Sequence, residues 1–124
     1  MFAIRRSQLA AFQISRGLAT FFESCDIFLC PTLCSPPLRI GELNTMSDDL
    51  SHIGPILRRY MPATAMFNMS GQPAMSVPLA WNKAGLPLGM MFSAKLGEEG
   101  ILFRLAGQLE QVKPWNNRIP PVSA

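Results

Sequence analysis

Prolines cut this chain into short segments and decide which elements it can form. Eleven of the 124 residues are proline. Proline fixes φ and lacks an N–H, so it ends helices and interrupts ladders. Proline-free lengths suited to a long helix remain at 1–30 and 88–113. The proline-free interval 38–54 carries the turn formers Gly41 and Asn44 instead. The rest, punctuated by Pro31, Pro36, Pro37, Pro55, Pro62, Pro73, Pro78 and Pro87, leaves room for strands, turns and short helices.

In the first interval Ile4, Ala11, Ile14, Leu18 and Phe21 recur at helical spacing, with Arg5, Arg16, Thr20 and Glu23 opposite. Leu9 and Phe12 fall on the polar side, where they can touch a second surface. The same opening contains Arg and Ser and has no acid before Glu23, which also fits a transit peptide. The helix is preferred because the segment leads straight into "DIFLCPTL", Asp26 to Leu33, a short apolar run that reads as a buried strand closed by Pro31.

Ser35 to Ser51 reads as loop. A short helix opens near Ser47, or after Gly54 with Pro55 at its first position. A second covers Ala63 to Met69, and Gly71 ends it in a left-handed conformation. Ala74 to Ala80 reads as a strand that Pro78 pushes toward an edge or bulge. Asn82 and Gly85 make a turn, and Leu88 to Ala94 is the next strand, giving an antiparallel hairpin. The last helix carries a stripe of Ile101, Leu105, Leu109 and Val112, flanked by Leu102 and Ala106, and stops at Pro114. The tail beyond it reads as extended. The expected fold class is α/β, with helices packed on a small mixed sheet of about three strands.

Composition says that this fold is incomplete by itself. Hydrophobic residues make up 48% and charged residues 15%, against about 25% charged in an average domain. Three strands is also thin beside a usual sheet of roughly 4–6. Some apolar surface is therefore expected to be covered by a partner. The net charge of +3 is mild and the basic residues are scattered, so nucleic acid is not expected. No apolar run reaches the roughly 18 residues of a membrane span. Cys25, Cys30 and Cys34 are few and odd in number, as expected of free thiols in a reducing cytoplasm.

A search for chemistry finds no catalytic constellation. Cys25 and Cys30 lie an odd number of residues apart along a strand, so they face opposite ways. With Cys34 and His52 they lack the usual short zinc-ligand spacing, and no metal is expected. His52 is the only histidine and sits in a loop-like stretch. A small hydrolase pairing it with a nearby serine lacks a nucleophile elbow and an orienting acid. Asp48-Asp49 and Glu98-Glu99 are accounted for as turn and helix-start residues. No phosphate- or dinucleotide-binding glycine motif occurs, and no cofactor is expected.

Three pieces in order carry a resemblance: "FFESCDIFLCPTLCSPP", "FNMSGQPAMSVPL" and "GLPLGMMFSAKLGEEGILFRLAGQLEQVKPW". Over about Leu18 to Pro120 the chain resembles the C-terminal part of the amidase signature family. Within that family it is most similar to the group that includes 6-aminohexanoate cyclic-dimer hydrolases. The resemblance implies amide hydrolysis by a Ser–cis-Ser–Lys triad that lies N-terminal to the matched part. This chain contains no Gly-Gly dipeptide, and none of its three lysines matches the catalytic one. No catalytic residue is carried over. The resemblance implies a structural role for Asn68, Gly71, Pro73, Pro78, Pro87 and Gly89, and offers Thr32, Met66 and Phe67 as candidates for lining a substrate pocket, with apolar packing the preferred role of Met66 and Phe67. Residues 1–124 are thus expected to be one C-terminal fragment of an amidase domain, inactive alone. Its exposed apolar surface would be covered by the missing N-terminal part or by a second copy as a homodimer. The alternative is a self-standing interaction or dimerisation module that reuses the fold.

Overall fold

The computed structural model describes residues 2–49 and 51–119. Helix α1 spans Phe2–Phe21, strand β1 Ile27–Pro31, helix α2 Ile53–Tyr60 and helix α3 Thr64–Ser70. Strand β2 spans Ala74–Trp81, strand β3 Pro87–Ala94 and helix α4 Glu99–Val112. The tail expected to run extended from Asn116 instead begins with a turn, the Arg118 amide bonding to the Trp115 carbonyl at 3.0 Å, and residues 120–124 lie outside the described residues.

The three strands form one sheet in the order β1-β3-β2. Both pairings are antiparallel, so the expected mixed sheet is an antiparallel one among the described residues. The β2–β3 turn forces the second pairing. The Asn82 side-chain oxygen accepts the amides of Ala84 and Leu86, and Gly85 takes φ 78° at the tip. The first pairing brings β1, from far back in the chain, to the other side of β3, with Cys30 opposite Met91 and Pro31 opposite Met90. Proline lacks the next donor, and the ladder ends with Thr32 giving its amide to the Gly89 carbonyl at 2.9 Å.

Each sheet face has its own core. On one face Leu18, Phe22, Phe67 and Met91 are buried together, with Phe28, Cys30 and Met66 packed around them. This cluster joins α1 and α3 to the sheet. On the other face Val77, Phe92 and Ala94 pack against Leu102 of α4. The α4 stripe docks by its expected face: Leu102 is buried, Ile101, Leu105 and Leu109 pack around the cluster, and Val112 at the helix end departs from it, 85% exposed. The sheet meets the helix near its N-terminal end, so the last turn has nothing to cover it.

Two prolines sit where the backbone tolerates them. Helix α2 begins at Ile53, so Pro55 is its third residue and not its first. The first four amides of a helix have no partner inside it, so a missing N–H there costs nothing. Pro78 lies at a register shift between Pro78 and Ala80, in an edge strand. Gly71 closes α3 at φ 78°, its amide bonded to the Phe67 carbonyl.

Candidate functional site

Past Met91, the α1/α3 face of the sheet continues onto a bare patch. Ser76 pairs with Met91 across the β2–β3 ladder, and so points to the same face as Met91. Gly89 lies two residues before Met91 and also belongs to that face. Thr32, just past β1, lies on the other side of β3 from Ser76. The Thr32 and Ser76 hydroxyls reach across β3 and hydrogen-bond to each other at 2.5 Å. They meet over Gly89. A Cβ on Gly89 would stand 2.7 Å from Ser76 Oγ and 2.9 Å from Thr32 Oγ1. The absence of a side chain at this one residue therefore makes room for the hydroxyl pair.

This pair sits in a groove of about 580 Å³ between the Thr32–Pro37 loop and the start of β3. Its lining is largely apolar, with Pro31, Pro36, Pro37 and Pro87 prominent, and no charged residue lines it; Met90 turns its side chain to the other core. The loop wall is held by the Cys34 amide, which bonds to the Tyr60 carbonyl at the end of α2 at 2.9 Å. Cys34 is exposed and lines the groove. Burial, and secondarily the neighbouring Cys34, push the Cys30 thiol above its ordinary value.

Of the three pocket candidates one reaches this groove, and the other two take the apolar packing preferred for them. Thr32 is there; Met66 and Phe67 lie in the α1/α3 core, where Phe67 is 4% exposed. Pro87 and Gly89 line the groove as well. Pro73 ties the strand start to β3: its carbonyl accepts the Ser93 hydroxyl at 2.8 Å and the Ala94 amide at 3.1 Å. Asn68 is exposed on α3. Ser76 falls inside the expected strand Ala74 to Ala80, with nothing in the sequence to pair it with Thr32. Its partner lies 44 residues away, and only the β1-β3-β2 order shows that they meet.

Elsewhere, a second hollow of about 480 Å³ holds Trp81, Trp115 and Arg118, with the Arg118 guanidinium 4.5 Å above the Trp81 ring. Gln72 is buried, and its side-chain oxygen has no partner among the described residues. Among the described residues no three His, Cys, Asp or Glu side chains come together to hold a metal. No helix there is long and apolar enough to cross a membrane.

Comparison with known proteins gives this geometry a context. The family profile described as Amidase matches residues 2–103. This chain belongs to the amidase family. A chain named amidase AmiC in Mycobacterium leprae is 38% identical over 103 residues, covering 83% of this chain and 22% of its own length. The 6-aminohexanoate-cyclic-dimer hydrolase of Pseudomonas sp. strain NK87 is 37% identical over 100 residues, 77% of this chain and 20% of that one. A solved structure of 6-aminohexanoate cyclic dimer hydrolase superposes with a TM-score of 0.79 at 30% identity, over 90% of this chain and 24% of that one. The chain thus spans about a fifth to a quarter of the length of these amidases. The groove, the hydroxyl pair and both cores all fall within the matched amidase region or at its border.

Proposed function

We propose that this chain is the C-terminal structural portion of an amide-hydrolysing enzyme, and that the reacting groups stand on a segment N-terminal to it. One observation carries the reading: the amidase profile runs through nearly the whole described chain, while the chain equals only 20–22% of its relatives' length. The family resemblance supplies the chemistry. A serine that gives its proton through a second serine to a lysine attacks the amide carbonyl, the C–N bond breaks and the amine leaves with that proton, and water then hydrolyses the acyl-enzyme ester to release the acid and free the serine. In that scheme residues 1–124 hold no catalytic group. They supply part of the sheet and, through Thr32 and its surroundings, a wall of the substrate pocket.

The exposed apolar residues support this assignment. Ile4, Leu9 and Phe12 of α1 are each about 60% exposed, and Leu29 on the edge strand β1 is 54% exposed. The rest of an amidase fold is the partner that the length deficit calls for, and it would cover these faces. The three free thiols fit a reducing cytoplasm.

A chimera tests the reading. A full-length family amidase has its matched C-terminal quarter exchanged for residues 2–119 of this chain. The reading expects a soluble enzyme that retains amide hydrolysis within roughly tenfold, about 1.4 kcal/mol of barrier. A folded chimera without activity, or a sharp concentration-independent dimer of the isolated chain with α1 buried between copies, favours the interaction module instead.

A further inference from the structure

We propose that the hollow of Trp81, Trp115 and Arg118 binds a small hydrophobic carboxylate, its oxygens on the Arg118 guanidinium and its apolar body against the two indoles.

Two distant parts of the chain build this hollow. Trp81, Leu86 and Pro87 come from the β2–β3 hairpin, and Trp115, Arg118 and Ile119 from the segment after α4. Helix α4 ends at Val112, and Trp115 packs against the core on its side of the sheet, which anchors the segment. The Arg118 amide bonds to the Trp115 carbonyl at 3.0 Å, and this turn carries the guanidinium to 4.5 Å above the Trp81 ring.

Arg118 has a ring beneath it but no counter-charge in the hollow. A guanidinium over a tryptophan face gains cation–π attraction, yet its N–H groups still call for acceptors. No Asp or Glu lines the hollow. The sequence gives the reason. Residues 50–97 and 111–124 contain no acid, while Lys83 lies in the hairpin turn and Lys113 at the end of α4. Every charged residue of the two segments that build the hollow is therefore basic, and an anion is the ligand that such a surface attracts. A carboxylate fits the planar fork of the guanidinium with two parallel hydrogen bonds. A carboxamide offers one acceptor oxygen without charge, and an ammonium is repelled.

The rest of the lining selects the body of the ligand. Leu86 and Ile119 are exposed at the hollow, and both indoles are only partly covered. An acid with an apolar ring or chain removes this surface from water while its head stays on Arg118. The volume of about 480 Å³ is that of a small-molecule site.

Both tryptophans of the chain line the hollow, so their fluorescence reads it directly. The 124-residue chain, shown to be folded by circular dichroism, is titrated with cyclohexanecarboxylate, with its neutral isostere cyclohexanecarboxamide and with cyclohexylmethylammonium. The acid is expected to change the tryptophan emission saturably and to bind at least about tenfold tighter than either analogue. Arg118→Met keeps an unbranched apolar side chain and removes the charged fork. It should weaken the acid about tenfold and leave the carboxamide unchanged. Arg118→Lys keeps the charge without the fork and should fall between the two. Equal binding of acid and carboxamide, no saturable change in the folded chain, or acid binding that survives Arg118→Met each overturns the proposal. A lower melting temperature of Arg118→Met with acid binding unchanged makes Arg118 a clasp for the tail and overturns it as well. If Arg118→Met unfolds, the acid-to-carboxamide ratio of the natural sequence carries the test. Tighter binding of acetyl-glycyl-leucine than of the cyclic acid gives the site to a peptide C-terminus and overturns the small-acid assignment.

Discussion

Single residues carry much of the backbone logic. Gly71 takes φ 78° to turn the chain from α3 toward β2. A side chain there is strained even though the space around it is open. Gly71→Val should cost about 2 kcal/mol, the scale of left-handed backbone for an L-residue. Ser76→Ala should cost less than about 1 kcal/mol, since its hydroxyl is exposed and a typical hydrogen bond contributes that much or less. Urea unfolding monitored by tryptophan fluorescence compares them; a milder Gly71→Val than Ser76→Ala would reverse the assignment. Cysteine chemistry follows from burial in the same way. Thiolate is the reactive form, and Cys30 is held above its ordinary value by burial and by Cys34, whereas Cys25 and Cys34 are exposed. Iodoacetamide at pH 8 should alkylate Cys30 several-fold more slowly than the other two, with the lag shrinking as pH rises. Mass mapping that finds Cys30 fastest contradicts this. The role of Gly71 was legible in the sequence because glycine before proline after a helical run has few other uses. The role of Gly89 was legible only as part of a motif. Its physical reason, two hydroxyls crossing a strand, needs the register.

At the scale of elements, proline spacing and periodicity placed every helix and strand within a few residues, because local sterics decide those ends. What they could not place was order in space. A hairpin is a local event, so β2 and β3 were paired correctly. The attachment of β1 to the far side of β3 joins residues about 60 apart, and no pattern in either strand encodes it. The α4 stripe shows the same limit. A helical wheel fixes a face but not which turn meets the sheet, so Leu102 is buried and Val112 is not. Leu102→Ala should therefore destabilise by about 2–4 kcal/mol through the lost contacts with Val77, Phe92 and Ala94. Phe103→Ser, one residue on and 77% exposed, should change stability by under about 0.5 kcal/mol. Thermal melts of the two variants distinguish them, and equal losses would mean that α4 is docked by a different face.

At the scale of the whole molecule, the two cores are small and the surface around them is unusually apolar. Ile4, Leu9 and Phe12 leave the outer half of α1 with little to pack on. Among the described residues the sheet ends at two strands with free edges. These features are what a quarter of a larger α/β fold should look like, and they agree with the share of each relative that this chain covers. Under the proposed function the groove over Gly89 is one wall of the substrate pocket, with the reacting groups outside residues 1–124. The most direct measurement is the amide-hydrolysis rate of the purified 124-residue chain at high concentration. The account predicts no turnover above the buffer rate. Turnover that survives purification and disappears in Ser70→Ala or Ser76→Ala would contradict it.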